Sequence, residues 1–100
     1  MRYTHVVSDR RIKLRTTGEH ALAKGDGWRA FQAYIELERL EPDEALWPKR
    51  AAEAARKAGK NAEAALAFRR AAAVYQRIGF APHADAMRRL ATQLENTPPS

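Results

Sequence analysis

The side chains of this sequence that could take part in chemistry are three histidines, a knot of carboxylates, one glycine-rich turn and 18 lysines and arginines. His5, His20 and His83 stand far apart, without the pairing at helical spacing that offers two ligands to one metal ion, so they read as solvated surface histidines. Gly25-Asp26-Gly27 has the outline of a phosphate loop. Neither a strand before it nor a Lys-Ser/Thr pair after it supports that use, and it reads as a turn between helices. Glu36, Glu38, Glu41, Asp43 and Glu44 cluster at the end of one amphipathic segment and in the loop that follows. General acid–base work needs a sheltered pair with separated pKa values, whereas these read as an open acidic edge. With no cysteine there is no thiol nucleophile, no thiolate zinc site and no disulfide. No enzyme activity, catalytic residue, metal or cofactor is expected, and the chemistry left is that of charge.

The elements that position these charges are helices. Ala supplies 21 of the 100 residues, and with Leu, Arg, Lys, Glu and Gln it fills the stretch from Ala51 to Ala73 almost completely; such side chains lose little freedom in a helix. Interruptions recur at Gly25-Asp26-Gly27, Glu41-Pro42-Asp43, Gly59-Lys60-Asn61, Gly79-Phe80-Ala81-Pro82 and Asn96-Thr97-Pro98-Pro99. They divide the chain into five helices. The first starts near Ser8 or Asp9 and carries Ile12, Leu14, Ala21 and Leu22. The second, from Gly27 to Leu40, has Trp28, Phe31, Tyr34, Ile35, Leu37 and Leu40 at helical spacing. Asp43 is the expected cap of the third, which reaches Lys57, with a regular start only at Pro48 as the alternative; Asn61 is the expected cap of the fourth, which buries Ala64, Phe68, Ala71, Ala72, Tyr75 and Ile78. The fifth follows Ala81 with Met87, Leu90, Ala91 and Leu94 as its apolar face. The expected organisation is an N-terminal arm over 1–10, one helical domain over 11–95 and a disordered tail over 96–100. No apolar run approaches the roughly 20 residues that span a bilayer, and the first residues lack a signal-peptide core, so a cytoplasmic protein without membrane insertion is expected.

Two segments repeat at a spacing of 34 residues, placing Gly25 over Gly59, Ala30 over Ala64, Tyr34 over Phe68, Leu37 over Ala71 and Leu40 over Val74. This pattern resembles the tetratricopeptide repeat, with Gly18 and Ala52 where that family keeps a small residue and Pro42 where it ends its unit. The resemblance covers residues 11 to about 78 and departs from the pattern at Pro48, where a large apolar residue is usual, and at Ala21 and Ala55, where tyrosine is usual. An overlapping register through Ala72, Tyr75, Gly79, Ala84 and Ala91 makes the fourth helix also the first of a further unit. The run from Leu46-Trp47-Pro48 to Gly79-Phe80 is similar both to helical arrays that stand beside signalling domains in deltaproteobacteria and to the helical domain of certain bacterial transcription activators. The resemblance implies an all-α, right-handed superhelical stack of antiparallel helix pairs.

In such a stack the first helix of each unit lines a concave groove. That assigns Arg15 and Glu19, then Lys49, Arg50, Glu53, Arg56 and Lys57, and in the overlapping register Arg69, Arg70 and Arg77, to one basic groove, with Trp47 beside Pro48 half-exposed to a partner. The charge is segregated as well, with net +4 over residues 1–15, −4 over 16–48 and +7 over 49–89, out of a total of +6. The expected function is a non-enzymatic adaptor that docks an acidic or amphipathic segment of a partner protein through Arg15, Trp47, Lys49, Arg50, Arg56, Arg69, Arg70 and Arg77. A homodimer is compatible with a stack this short. The alternative is association with nucleic acid through the same basic surface, in a transcription-regulatory role; it lacks a recognition helix and aromatics interleaved with the cations.

Overall fold

The computed structural model describes the backbone of residues 2–97 and the side chains of residues 9–97. Five helices follow one another in it: α1 (Arg2–Ala23), α2 (Gly27–Leu40), α3 (Leu46–Lys57), α4 (Asn61–Arg77) and α5 (Ala81–Glu95). No strand occurs among the described residues. Each helix packs on its neighbours in the chain, α1 on α2, α2 on α3, α3 on α4 and α4 on α5. The result is a slab of 48 × 34 × 16 Å.

Three of the four connections are the same turn. After α1, α3 and α4 the chain passes through Gly25, Gly59 and Gly79 at φ of 81°, 75° and 90°, the left-handed region where a Cβ is penalised. The next amide then reaches back five residues, Asp26 N to the Ala21 carbonyl at 2.8 Å, Lys60 N to Ala55 at 2.9 Å and Phe80 N to Tyr75 at 2.8 Å. Those bonds satisfy carbonyls that the helix end would otherwise leave open. The Asp26 carboxylate accepts the Arg29 amide at 3.1 Å, so the first glycine turn also caps α2. The fourth connection has no glycine; it runs from Glu41 through Pro42 to Ala45, where Pro42 prevents α2 from continuing.

Several local expectations are corrected. Helix α1 begins at Arg2, well before the start expected near Ser8 or Asp9. Of the tail expected over 96–100, Asn96 and Thr97 follow α5 directly, the Thr97 hydroxyl donating to the Gln93 carbonyl at 2.7 Å, and 98–100 lie outside the described residues. Helix α3 is regular from Leu46 rather than from Pro48, because Pro48 sits in the first turn, where a missing N–H costs nothing. The residue flanking α3 is Ala45, not Asp43, and Lys60, not Asn61, flanks α4.

The core is built from small residues where helices approach and a few large ones that fill the gaps. Ala30, Ala51, Ala54, Ala64, Ala71 and Ala84 are fully buried, and Leu37, Phe68 and Pro48 are the largest side chains enclosed almost completely. Three of the pairs 34 apart behave alike, Ala30 and Ala64, Tyr34 and Phe68, and Leu37 and Ala71 all being buried, whereas Leu40 is exposed and Val74 buried. Gly18 sets the approach of α1 to α2, since a Cβ there would stand 2.7 Å from Cζ of Tyr34. No polar or charged residue is buried among those described.

The two tryptophans exchange the environments expected of them. Trp28, expected in the core, is 40% exposed, because the preceding Gly27 is the residue that closes α2 onto α3, where a Cβ would meet the Ala54 carbonyl at 2.6 Å. Trp28 then turns outward and stacks on Phe31 at 4.9 Å between ring centroids. Trp47, expected to be half-exposed, is buried at 7%. Leu40 and Ile78, also expected on buried faces, lie at helix ends and are exposed.

Candidate functional site

The best-defined polar arrangement gathers where α1, α2 and α3 meet. Tyr34 of α2 lies against Gly18 of α1, and its ring stacks on Trp47 of α3 with centroids 6.1 Å apart. The Trp47 indole N–H donates to Oε1 of Glu41 at 2.9 Å, and Glu41 accepts through its other oxygen from Arg11 of α1 at 3.2 Å. The Arg15 guanidinium stands 5.8 Å from the Trp47 ring centre, within cation–π range. One buried indole thus has its N–H satisfied by the α2–α3 loop and its face covered by a cation from α1. A shallow depression of about 350 Å³ opens here, lined by Arg11, Ile12, Arg15, Glu41, Glu44 and Trp47.

The phenol of Tyr34 marks the middle of this face electrostatically. Burial pushes its pKa above the ordinary tyrosine value; Glu19 and Glu53 push the same way, and Arg50 and Arg15 oppose them. Two charges from α1 and two from α3 therefore surround one phenol. Along α3 the polar stripe continues through half-buried Lys49 and Glu53 and exposed Arg50, Arg56 and Lys57. Arg50 pairs with Glu53 at 3.0 Å, while Lys49, Arg56 and Lys57 have no carboxylate partner among the described residues.

The α4 arginines lie elsewhere. Arg70 makes two bonds to the Glu38 carboxylate of α2, at 2.8 and 3.2 Å. Arg69 grips Glu95 of α5 through both Nε and Nη2, and Arg77 donates to the Pro42 carbonyl and to Asp43, each at 3.1 Å. The single groove expected of eight residues is thus corrected: Arg15, Trp47 and Arg50 converge around Tyr34, Lys49 and Arg56 extend that face along α3, and Arg69, Arg70 and Arg77 are engaged in fastening α4 to three other parts of the chain. Trp47 serves as a wall beneath Arg15 rather than as an exposed contact.

Comparison of the chain with protein-family models, with curated proteins and with solved structures returns no match. The site therefore stands on its own geometry. Among the described residues no group of three or more His, Asp or Glu side chains is placed to hold a metal ion, and no helix is long and apolar enough to cross a membrane.

Sequence reasoning missed Arg11, Glu41 and the part played by Tyr34. A signal for Glu41 did exist: an indole N–H at a helix start beside an acidic loop needs an acceptor once it is buried.

Proposed function

We propose that this chain is a non-enzymatic, tetratricopeptide-like adaptor of the cytoplasm that binds an acidic, amphipathic segment of a partner protein on the α1–α3 face. The observation that carries this reading is the uneven neutralisation of cations. Arg10, Arg11, Arg69, Arg70 and Arg77 each meet a carboxylate of this same chain, whereas half-buried Lys49 and exposed Arg56 and Lys57 line one polar stripe of α3 with none among the described residues. Unneutralised cations on a rigid helix accept carboxylates with little reorganisation, and their field raises the rate of encounter with an acidic segment. The apolar side of such a segment finds Ile12, 59% exposed, at the edge of the Trp47 depression. Recognition would follow the helix-in-groove mode, with binding energy rather than bond chemistry as its output.

The test uses a synthetic amphipathic helix with a glutamate polar face, the same peptide with lysine in its place, and random-sequence duplex DNA. The glutamate peptide should bind, the lysine peptide should not, and Lys49→Glu with Arg56→Glu should weaken binding by about tenfold or more. Unchanged binding in that double variant discards the α3 stripe. Tighter binding to the duplex, falling steeply with salt, replaces the adaptor reading with a nucleic-acid one.

A further inference from the structure

The reverse side of the stack carries an apolar groove that the proposed peptide site does not use. It lies between α2 and α4 and encloses about 410 Å³. Its floor is Phe31 and Ile35 from α2 with Leu66 from α4, and Leu66 is 59% exposed in the middle of a helix. Trp28, stacked on Phe31, continues the apolar strip toward the α3–α4 turn, where the Lys60 ammonium stands over its ring at 5.6 Å from the centre. Exposed Leu66 and Trp28, flanked by half-buried Phe31 and Ile35 along two helices, mark a contact surface rather than a solvated face.

The charges around the groove decide what covers it. The Glu38–Arg70 pair closes one corner and is satisfied internally. Two further charges line the groove without an opposite partner among the described residues: Arg39, at the C-terminal end of α2, and Glu63, in the first turn of α4. Helices α2 and α4 point the same way, with Phe31 level with Glu63 and Glu38 level with Arg70, so Arg39 and Glu63 occupy opposite corners. They are separated along the helix axis by about 12 Å at the usual rise per residue. A twofold axis lying in the plane of the groove and passing between these corners sets Arg39 of one copy against Glu63 of the other. The apolar floor that holds Ile35 and Leu66 then faces the same floor of the other copy. A surface that is complementary to itself in this way fits the isologous contact of a closed dimer.

We infer that two copies of this chain pair through the α2–α4 groove, Leu66 and Ile35 meeting at the centre and Arg39 of each copy facing Glu63 of the other. The α3 stripe and the Trp47 depression lie outside this contact, so each copy would keep its peptide face open. The inference is independent of what that face binds.

The test is light scattering and sedimentation equilibrium on the full chain, from roughly 1 µM to roughly 500 µM. The expected mass rises with concentration from 11.3 kDa toward twice that value. Leu66→Glu should weaken pairing by about tenfold or more, since it buries an unpaired charge at the centre. Leu66 is exposed and glutamate is a good helix former, so the fold should survive, which far-UV circular dichroism confirms. Arg39→Glu and Glu63→Arg should each weaken pairing by about three- to fivefold, and the two together should return it to within about twofold of the unmodified chain. A monomeric mass across the whole range overturns the inference, as it would if the groove instead receives a helix of another protein. An unchanged dissociation constant in Leu66→Glu, or a double charge exchange that fails to restore pairing, overturns it equally.

Discussion

Helices α3 and α4 are both basic, both Ala-rich and adjacent in the chain, yet their cations have different fates. On α4, Arg69, Arg70 and Arg77 reach carboxylates of α5, α2 and the α2–α3 loop. On α3, Arg50 meets only Glu53, one turn away on its own helix, and Lys49, Arg56 and Lys57 meet no carboxylate among the described residues. The number of cations on a helix therefore says little about its availability to a partner. What decides it is whether the fold brings acidic side chains from distant stretches alongside, and the acidic segment around Glu38 to Asp43 comes alongside α4.

Substitutions can break this contrast, and the largest effect belongs to the residue that holds α3 in place. Trp47→Ala should cost about 3–5 kcal/mol in urea unfolding, through lost packing on Tyr34 and a cavity beneath Arg15. Trp28→Ala, which removes a half-exposed ring, should cost about 1 kcal/mol. Equal losses at the two tryptophans would refute the assignment of one to the core and one to the surface. Next in size is Arg70→Ala, which should lower stability by about 1 kcal/mol and leave binding of the glutamate peptide unchanged, because its two bonds to Glu38 are partly screened by water. The mirror case is Lys49→Glu with Arg56→Glu, where unfolding should shift by no more than about 0.5 kcal/mol while peptide binding falls. If Arg70→Ala weakens binding as much as the α3 variant does, the distinction between engaged and available cations fails.

Two effects of pH complete the series. The Tyr34 phenol titrates above its ordinary value in the folded chain, chiefly through burial, so the unfolded chain loses that proton first. Its contribution is present below the ordinary tyrosine pKa and is lost as pH rises through the folded value. Tyr34→Phe should remove that alkaline decline, seen by following stability and tyrosinate absorbance together. Smallest of all, Arg69 holds Glu95 below the usual carboxylate range, first by hydrogen bonding and then by charge. Stability from this pair is present above the ordinary glutamate pKa and is lost as pH falls through the folded value, so Arg69→Met should flatten the acid limb slightly. Because both groups are exposed, a strong effect there would contradict the structure.

The positions of the helices were legible in the chain because their boundaries are local. Gly25, Gly59 and Gly79 each supply a left-handed residue and are followed by an amide that closes the turn, so each break depends on a handful of neighbouring residues. The fate of individual side chains was not local. Trp28 and Trp47 have the same hydropathy, and nothing within a turn of either says that Gly27 will be used to seat α2 on α3 and so turn Trp28 outward. Arg70 and Arg56 likewise look alike in sequence. One lies 32 residues from the carboxylate that claims it, and that pairing depends on α2 and α4 standing side by side. The apolar groove between these helices escaped notice for the same reason, since Leu66 fits an Ala-rich helix equally well as core or as surface.

The largely sequential packing, in which each helix rests mainly on the one before and the one after, also sets how the molecule comes apart. Contacts short in sequence are formed early and at small entropic cost, so folding should be fast for a chain of this length. Helices α2, α3 and α4 are each packed between two chain neighbours, while α1 and α5 each have one. Amide exchange should therefore grade from weak protection in the outer helices to strong protection around Leu37, Ala54 and Phe68, making the stack a short spring that frays from its ends while its middle stays closed.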